Sequence, residues 1–279
     1  MSPSDGIAVE QRSTPVARPE TEAAVSRPYY GKMNVVPVRY DIGSSNRILE
    51  LAYRGSEILL AVIALIVAVP IMLIEAILIR LDSPGPVLFF QVRLGRSEIR
   101  RGRDLEGRAD LLPPPGGYEP DGLYYVPTYF RFVKFRSMYS DARQRFPELF
   151  SYNYGPGELH LRLTADVNDP RLTRVGRVLR KLSLDELPNL WCVLCGHIRL
   201  VGPRPEAPEF VQHYTPEEMY KFAVKPGITG LFQTNGRGLL TWGEQLAWDL
   251  QYVRTRSVWL DLKIIAWTLK LVIKRHGAF

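Results

Sequence analysis

The chain has 279 residues, 46% hydrophobic and 23% charged, which excludes wholesale disorder and leaves room for one large domain or two small ones. A formal net charge of +7 suits nucleic acid, anionic headgroups or phosphorylated small molecules without choosing among them. Two cysteines, Cys192 and Cys195, are too few for a secreted disulfide framework; three apart, with four histidines in the whole chain, they read as small buried residues of a helix.

Residues 1–46 contain no apolar core of a secretory signal and read as a disordered leader. From Ile58 to Ile79 the chain runs "ILLAVIALIVAVPIMLIEAILI", interrupted only by Pro70 and Glu75. A straight helix of that length reaches roughly 30 Å, the thickness of a bilayer's hydrocarbon core. Two features argue against spanning. Pro70 lies near the middle, where it removes a backbone hydrogen bond. Both flanks are also basic, with Arg47 and Arg54 before the segment and Arg80, Arg93, Arg96, Arg100 and Arg101 after it. Lysine and arginine favour the cytoplasmic side, so a re-entrant hairpin over 47–81 satisfies both flanks and a spanning helix satisfies one. Glu75 is expected to snorkel or to pair at the interface.

Residues 82–279 then form the second region. After a Ser-Pro-Gly-Pro turn, "VLFFQVR" has strand character, and so does "TYFRFVKFRSM" from Thr128. Between them residues 97–126 begin with the charge-rich "SEIRRGRDLEGRAD" and continue through "PPPGG", the mark of a solvated loop insertion. Tyr139 to Phe150 looks helical. The stretch from Asp169 has apolar residues at helical spacing, with Arg171, Arg174, Arg177 and Arg180 on a second stripe. "PNLWCVLCG" is a second helix ending at Gly196, and "IRLVGPRP" a short strand entering a stiff loop. Pro203 and Pro205 restrict the directions in which Arg204 is offered, and a preorganised guanidinium suits a phosphate. A last helix, "SVWLDLKIIAWTLKLVIKR", aligns Trp259, Leu262, Ile265, Ala266 and Leu269, a pattern for an interfacial helix or for one packed on its own domain.

Asp185 and Glu186 lie side by side in "KLSLDELPNLW". Ser183-Leu184-Asp185-Glu186 has the form of a capping box starting a helix at Ser183, which is locally a sufficient explanation of the acids. The same pair could do chemistry: one carboxylate can attack phosphorus once cations neutralise the phosphate, and a second can hold Mg²⁺. Lys134, Arg180 and Arg204 supply the cations if the fold gathers them.

"KFRSM", "DPRLTRVGRVLRKLSLDELPNLW", "LVGPRP" and "GITGLFQTNGR", in that order, resemble the bacterial sugar transferases, monotopic polyprenyl-phosphate phosphoglycosyl transferases, over roughly residues 47–275. The resemblance implies a mixed α/β monotopic membrane protein: a re-entrant membrane helix followed by a cytoplasmic catalytic domain with interfacial amphipathic helices. It implies transfer of a sugar-1-phosphate from a UDP-sugar to a polyprenyl phosphate, with release of UMP, at the bacterial inner membrane. By that resemblance Asp185 is the nucleophile and Glu186 the Mg²⁺ ligand. Lys134, Arg180 and Arg204 match basic positions near phosphate or nucleotide, and Gln233 and Arg237 lie in the other shared loop. The expected partners are the UDP-sugar, the polyprenyl phosphate and membrane lipid, not nucleic acid, with homodimerisation left open. Three features depart from the family pattern: Val69-Pro70 in place of a Ser-Pro pair, His197 and Arg199 ahead of "LVGPRP", and the 97–126 insertion. A membrane-anchored scaffold without catalysis is the rival reading.

Overall fold

The computed structural model describes residues 32–39, 47–151, 154–155, 157–162, 169–236 and 239–274. The apolar run is helical from Arg47 to Asp82 (α1), and helical structure continues through Pro70 where the sequence suggested a hairpin. Among the described residues α1 is the one helix long and apolar enough to cross a membrane, and most of its surface is open. Its buried residues Glu57, Ala61, Ala68, Glu75 and Ile79 recur at helical spacing, so a single stripe lies against the rest of the protein. Ala61 packs with Phe130, Phe132, Cys192 and Val193, and Ile79 packs with Phe135 and Leu179. Glu75 sits on this stripe and does not snorkel: it is 3% exposed, and neither of its oxygens has a hydrogen-bond partner among the described residues.

Both ends of α1 are tied to the same body. Near its start, Glu50 pairs with Arg199 at 2.7 Å and Arg256 at 3.2 Å, while Glu57 accepts from the Leu200 amide at 3.1 Å. At its end, Asp82 accepts from the Val175 amide at 3.0 Å, and Arg136 donates to the Ser83 carbonyl at 2.7 Å.

A long antiparallel hairpin, β3 (Leu88–Arg101) and β5 (Leu123–Phe135), forms the spine. Its register runs from Leu88 opposite Phe135 to Arg101 opposite Leu123, with an irregularity between Leu94 and Ser97. Two short strands precede α1: β1 (Met33–Asn34) and β2 (Val36–Pro37). The former pairs in parallel with β4 (Leu111–Leu112), and the latter is antiparallel to β5. Chain from before α1 and chain from after it therefore share one sheet, in the order β2-β5-β3.

Two sequence expectations are corrected here. The leader is not disordered through residue 46, because Met33, Val35 and Val36 are core residues; residues 1–31 and 40–46 lie outside the described set. Nor is 97–126 a solvated loop. Leu105, Leu111, Tyr124 and Tyr125 join Met33, Met219, Tyr220, Trp242 and Leu246 in the largest hydrophobic cluster. Its apolar residues are spaced irregularly among charges, which hides them from any periodicity. Gly102 makes the close approach possible, since a Cβ there would stand 2.0 Å from the Glu119 carbonyl oxygen.

The remaining elements follow β5 in the chain. Tyr139–Phe150 gives only a single helical turn, α2 (Ala142–Arg145), before Pro147 starts a separate 3₁₀ turn. Helix α3 (Arg174–Leu182) is capped by Thr173, whose hydroxyl accepts from the Gly176 amide at 2.9 Å. Then follow α4 (Asn189–Leu194) and the parallel pair β6 (Arg199–Val201) and β7 (Gly227–Thr229). The chain ends in α5 (Leu231–Thr234), α6 (Trp242–Thr255) and α7 (Val258–Lys274). One side of α7 is buried through Asp261, which accepts from Tyr53 at 2.6 Å and Tyr252 at 2.7 Å, and through Ile264. Trp259, Leu262 and Leu269 face outward as an exposed apolar row.

Candidate active site

The paired acids hang from a backbone reversal. Ser183 ends α3 in the left-handed conformation (φ 58°, ψ 23°), with its N–H returned to the carbonyls of Leu179 and Arg180. It is the only described non-glycine residue with positive φ. The expected capping box at Ser183 is not made: the serine side chain caps nothing, and Leu184–Glu186 is a 3₁₀ turn. A capping box does occur at Thr241 and Glu244, at the start of α6. After the reversal Leu184 packs on the Ile79, Phe135 and Leu179 cluster. That anchor leaves Asp185 6% exposed, and Glu186 lines the cavity beyond.

Cations arrive from three separate elements. Lys134 stands on β5 opposite Phe89 of β3, its Nζ 5.7 Å from that ring. Arg180, on the last turn of α3, donates from Nε to Ser137 Oγ at 3.0 Å and lies 3.9 Å from Asp169. Asp169 is itself gripped by Arg171 at 2.7 Å. Arg204, between its prolines, places a guanidinium nitrogen 3.9 Å from Glu186 Oε1. Of the expected basic stripe, Arg174 and Arg177 remain in solvent while Arg180 turns inward.

These charges perturb one another. Burial and the neighbouring Glu186 push the Asp185 carboxyl up, against the pull of Lys134, Arg180 and Arg204. Burial first, then Arg180 and Arg93, brings Lys134 down to about 7, although Asp185 and Glu186 oppose the shift. A cavity open to solvent is lined by Lys134, Glu186, Arg204 and Gln233 among others. Gln233 projects from α5, and its buried Oε1 has no partner among the described residues. Asp185 and Arg180 are not among its lining residues, but each interacts through its charge with the other and with Lys134, which is. Arg237 lies outside the described residues.

Two cavity residues were missed by sequence reasoning. Arg93 of β3 is almost buried, 5.6 Å over the Phe132 ring, and donates to the Pro205 carbonyl at 3.2 Å and to Gln91 at 2.8 Å. Phe132 forms part of the wall. The one available signal was an arginine within Leu88–Leu94, the first half of β3, where Gln91 is the only other polar residue.

No cluster of three or more His, Cys, Asp or Glu side chains forms a protein-only metal cage among the described residues. A single carboxylate in an open cavity, with substrate phosphates to complete the shell, is nevertheless a donor set that Mg²⁺ accepts. Glu186 fits that role.

Fold and site together define a mixed α/β protein with a long apolar helix and a cation-ringed acidic pair. A model of the bacterial sugar transferase family matches residues 48–101 and 125–275, and the chain belongs to that family. The match omits residues 102–124. The chain is similar to the undecaprenyl-phosphate glucose phosphotransferase of Komagataeibacter xylinus, with 36% identity over 81% of this chain and 36% of that protein. It is similar to the UDP-glucose:undecaprenyl-phosphate glucose-1-phosphate transferase of Caulobacter vibrioides, with 31% identity over 89% of this chain and 84% of that protein. The exopolysaccharide production protein ExoY of Rhizobium meliloti is 30% identical over 86% of this chain and 93% of its own length. The chain spans 36%, 44% and 43% of three longer relatives, including the Komagataeibacter protein.

Proposed function

We propose that this protein transfers a sugar-1-phosphate from a UDP-sugar to undecaprenyl or a related polyprenyl phosphate, an initiating step of bacterial polysaccharide assembly. The observation that carries the reading is a buried carboxylate, Asp185, set beside Glu186 and faced by Lys134, Arg180 and Arg204. The names of the Komagataeibacter and Caulobacter relatives describe this class of reaction.

An Asp185 carboxylate oxygen attacks the sugar-bearing phosphorus of the UDP-sugar. The bond from that phosphorus to the oxygen bridging to UMP breaks, and UMP leaves with the electron pair. An oxygen of the lipid phosphate then attacks the same phosphorus, and Asp185 returns as carboxylate. Lys134, Arg180 and Arg204 screen the diphosphate so that an anion can approach it. Glu186 would hold Mg²⁺, which supplies further neutralisation of the phosphate oxygens.

Both flanks of α1 lie on one side of the membrane in this reading, which makes α1 a re-entrant anchor and the enzyme monotopic. Its support is the sheet in which β2, from before α1, pairs with β5, from after it. Basic residues on both flanks favour the cytoplasmic face. Cysteines introduced at Lys32 and Asp121, in a Cys195→Ser background that removes the exposed native thiol, should both resist a periplasmic maleimide. Labelling at Lys32 alone would indicate a spanning helix.

The catalytic assignment is tested with Asp185→Asn in purified, lipid-reconstituted protein. UMP release from a panel of UDP-sugars should be lost while membrane association and melting stay as in the parent. Undiminished turnover would assign the nucleophile elsewhere.

A further inference from the structure

Behind the cavity lies a second charged cluster, shut off from solvent and unused by the steps above. Lys221 is 3% exposed, Glu206 7%, Asp249 1% and Tyr214 2%. The Lys221 Nζ lies 3.1 Å from Asp249 Oδ2 and 3.3 Å from Glu206 Oε2. Tyr214 donates to that same Glu206 oxygen at 3.1 Å. Glu206 Oε1 accepts from the Ala207 amide at 3.2 Å and stands 3.9 Å from Arg93. Two acids and two bases thus meet from four parts of the chain: β3, the loop after β6, the turn before β7, and α6.

A buried cluster of this kind is a poor stabiliser. Desolvating each ion costs several kcal/mol, and apolar residues of similar volume often serve stability as well. What the cluster does reach is the backbone on both sides of Arg204. The Arg204 amide donates to Asp249 Oδ2 at 3.3 Å, and the Pro205 carbonyl accepts from Arg93 at 3.2 Å. One residue out on either side, the Pro203 carbonyl accepts from the Gly227 amide at 2.9 Å and the Leu94 amide donates to the Glu206 carbonyl at 2.8 Å. Four successive residues are therefore pinned, while the Arg204 side chain stays 42% exposed at the cavity.

We infer that Lys221, Asp249, Glu206 and Tyr214 are positioning residues, a buried clamp that fixes the Pro-Arg-Pro loop so that Arg204 meets the substrate diphosphate beside Glu186. The clamp rests on the proposed reaction and adds to it the device that orients one of its cations. Its charges balance: Lys221 and Arg93 hold Glu206 below the usual carboxylate range against its burial. Asp249 is pushed up to about 6 by its own burial, against the pull of Lys221.

A double-mutant cycle separates orientation from mere packing. Asp249→Asn keeps the shape and an oxygen acceptor but weakens the grip on Lys221. Its kcat/KM for UMP release, with UDP-glucose and UDP-galactose as probes and undecaprenyl phosphate as acceptor, should fall at least about fivefold with Arg204 present. In an Arg204→Ala background the same change should cost less than about twofold. Equal losses in the two backgrounds overturn the inference and leave the cluster a packing feature. Tyr214→Phe, which removes one hydroxyl and strands no charge, goes through the same cycle and decides the matter if Asp249→Asn does not fold. A parent protein that turns over no UDP-sugar refutes the proposed reaction itself. Turnover in the parent with an additive cycle refutes the clamp alone.

Discussion

The two ends of the β3–β5 hairpin are built on opposite principles. At one end Leu105, Leu111, Tyr124 and Tyr125 close on Met33, Met219 and Trp242 in the largest apolar cluster of the protein, formed partly by chain outside the family match. At the other end Lys134 and Phe132 line a cavity ringed by charge, and the buried Arg93 Nε and Gln233 Oε1 have no partner among the described residues. The same two strands thus carry packing at one end and electrostatic tension at the other, with the register irregularity at Leu94–Ser97 between them. The lesson is a division of labour. A site that must hold anions beside a carboxylate is destabilising by itself, and a dry core on the same strands offsets it.

The division can be broken at either end. The largest effect belongs to Asp185→Asn, with UMP release down on the order of a thousandfold or more and melting unchanged. A matching loss of melting temperature would show that the site also supports the fold. Next comes Leu105→Ala at the far end. Removing a side chain that is 1% exposed should cost about 2–5 kcal/mol in denaturant unfolding. Turnover per folded molecule should hold, and a parallel drop in kcat would mean that this end of the hairpin reaches the site.

The smallest effect sharpens the charged end. Lys134, brought down to about 7, is protonated below that pH and neutral above it. A neutral Lys134 no longer attracts the diphosphate, so kcat/KM for the UDP-sugar should fall as pH rises through about 7. Lys134→Arg stays charged throughout that window and should flatten this limb, whatever its absolute rate. A limb that persists in the arginine variant assigns the titration to another group.

Much of the site was legible because its pieces are short and local. Asp185-Glu186, Lys134 and Arg204 each stand in a distinctive run, and the fold brings all of them to one place. Ser183 was misread for a local reason. A serine three residues before a glutamate fits a cap, but the reversal at Ser183 is set by the end of α3 and by the burial of Leu184. Lys221 and Asp249 gave no signal at all, since a lysine among aromatic residues and an aspartate on an amphipathic helix both read as surface. Their meeting depends on the turn before β7 and on α6 closing over the same loop.

What the sequence by itself determined were the features written in contiguous residues: the apolar helix, the paired strands, the acidic pair and the proline-flanked arginine. Local sterics and hydrophobic periodicity are sufficient to specify them. Only the tertiary structure decided which charges are buried, which strand partners the chain ahead of α1, and what holds Arg204 in place. Those outcomes depend on desolvation and on contacts between residues far apart in the chain, such as Asn34 with Tyr214 and Arg204 with Asp249. No window of neighbouring residues carries that information, because the cost of burying a charge is set by whatever else the fold brings beside it.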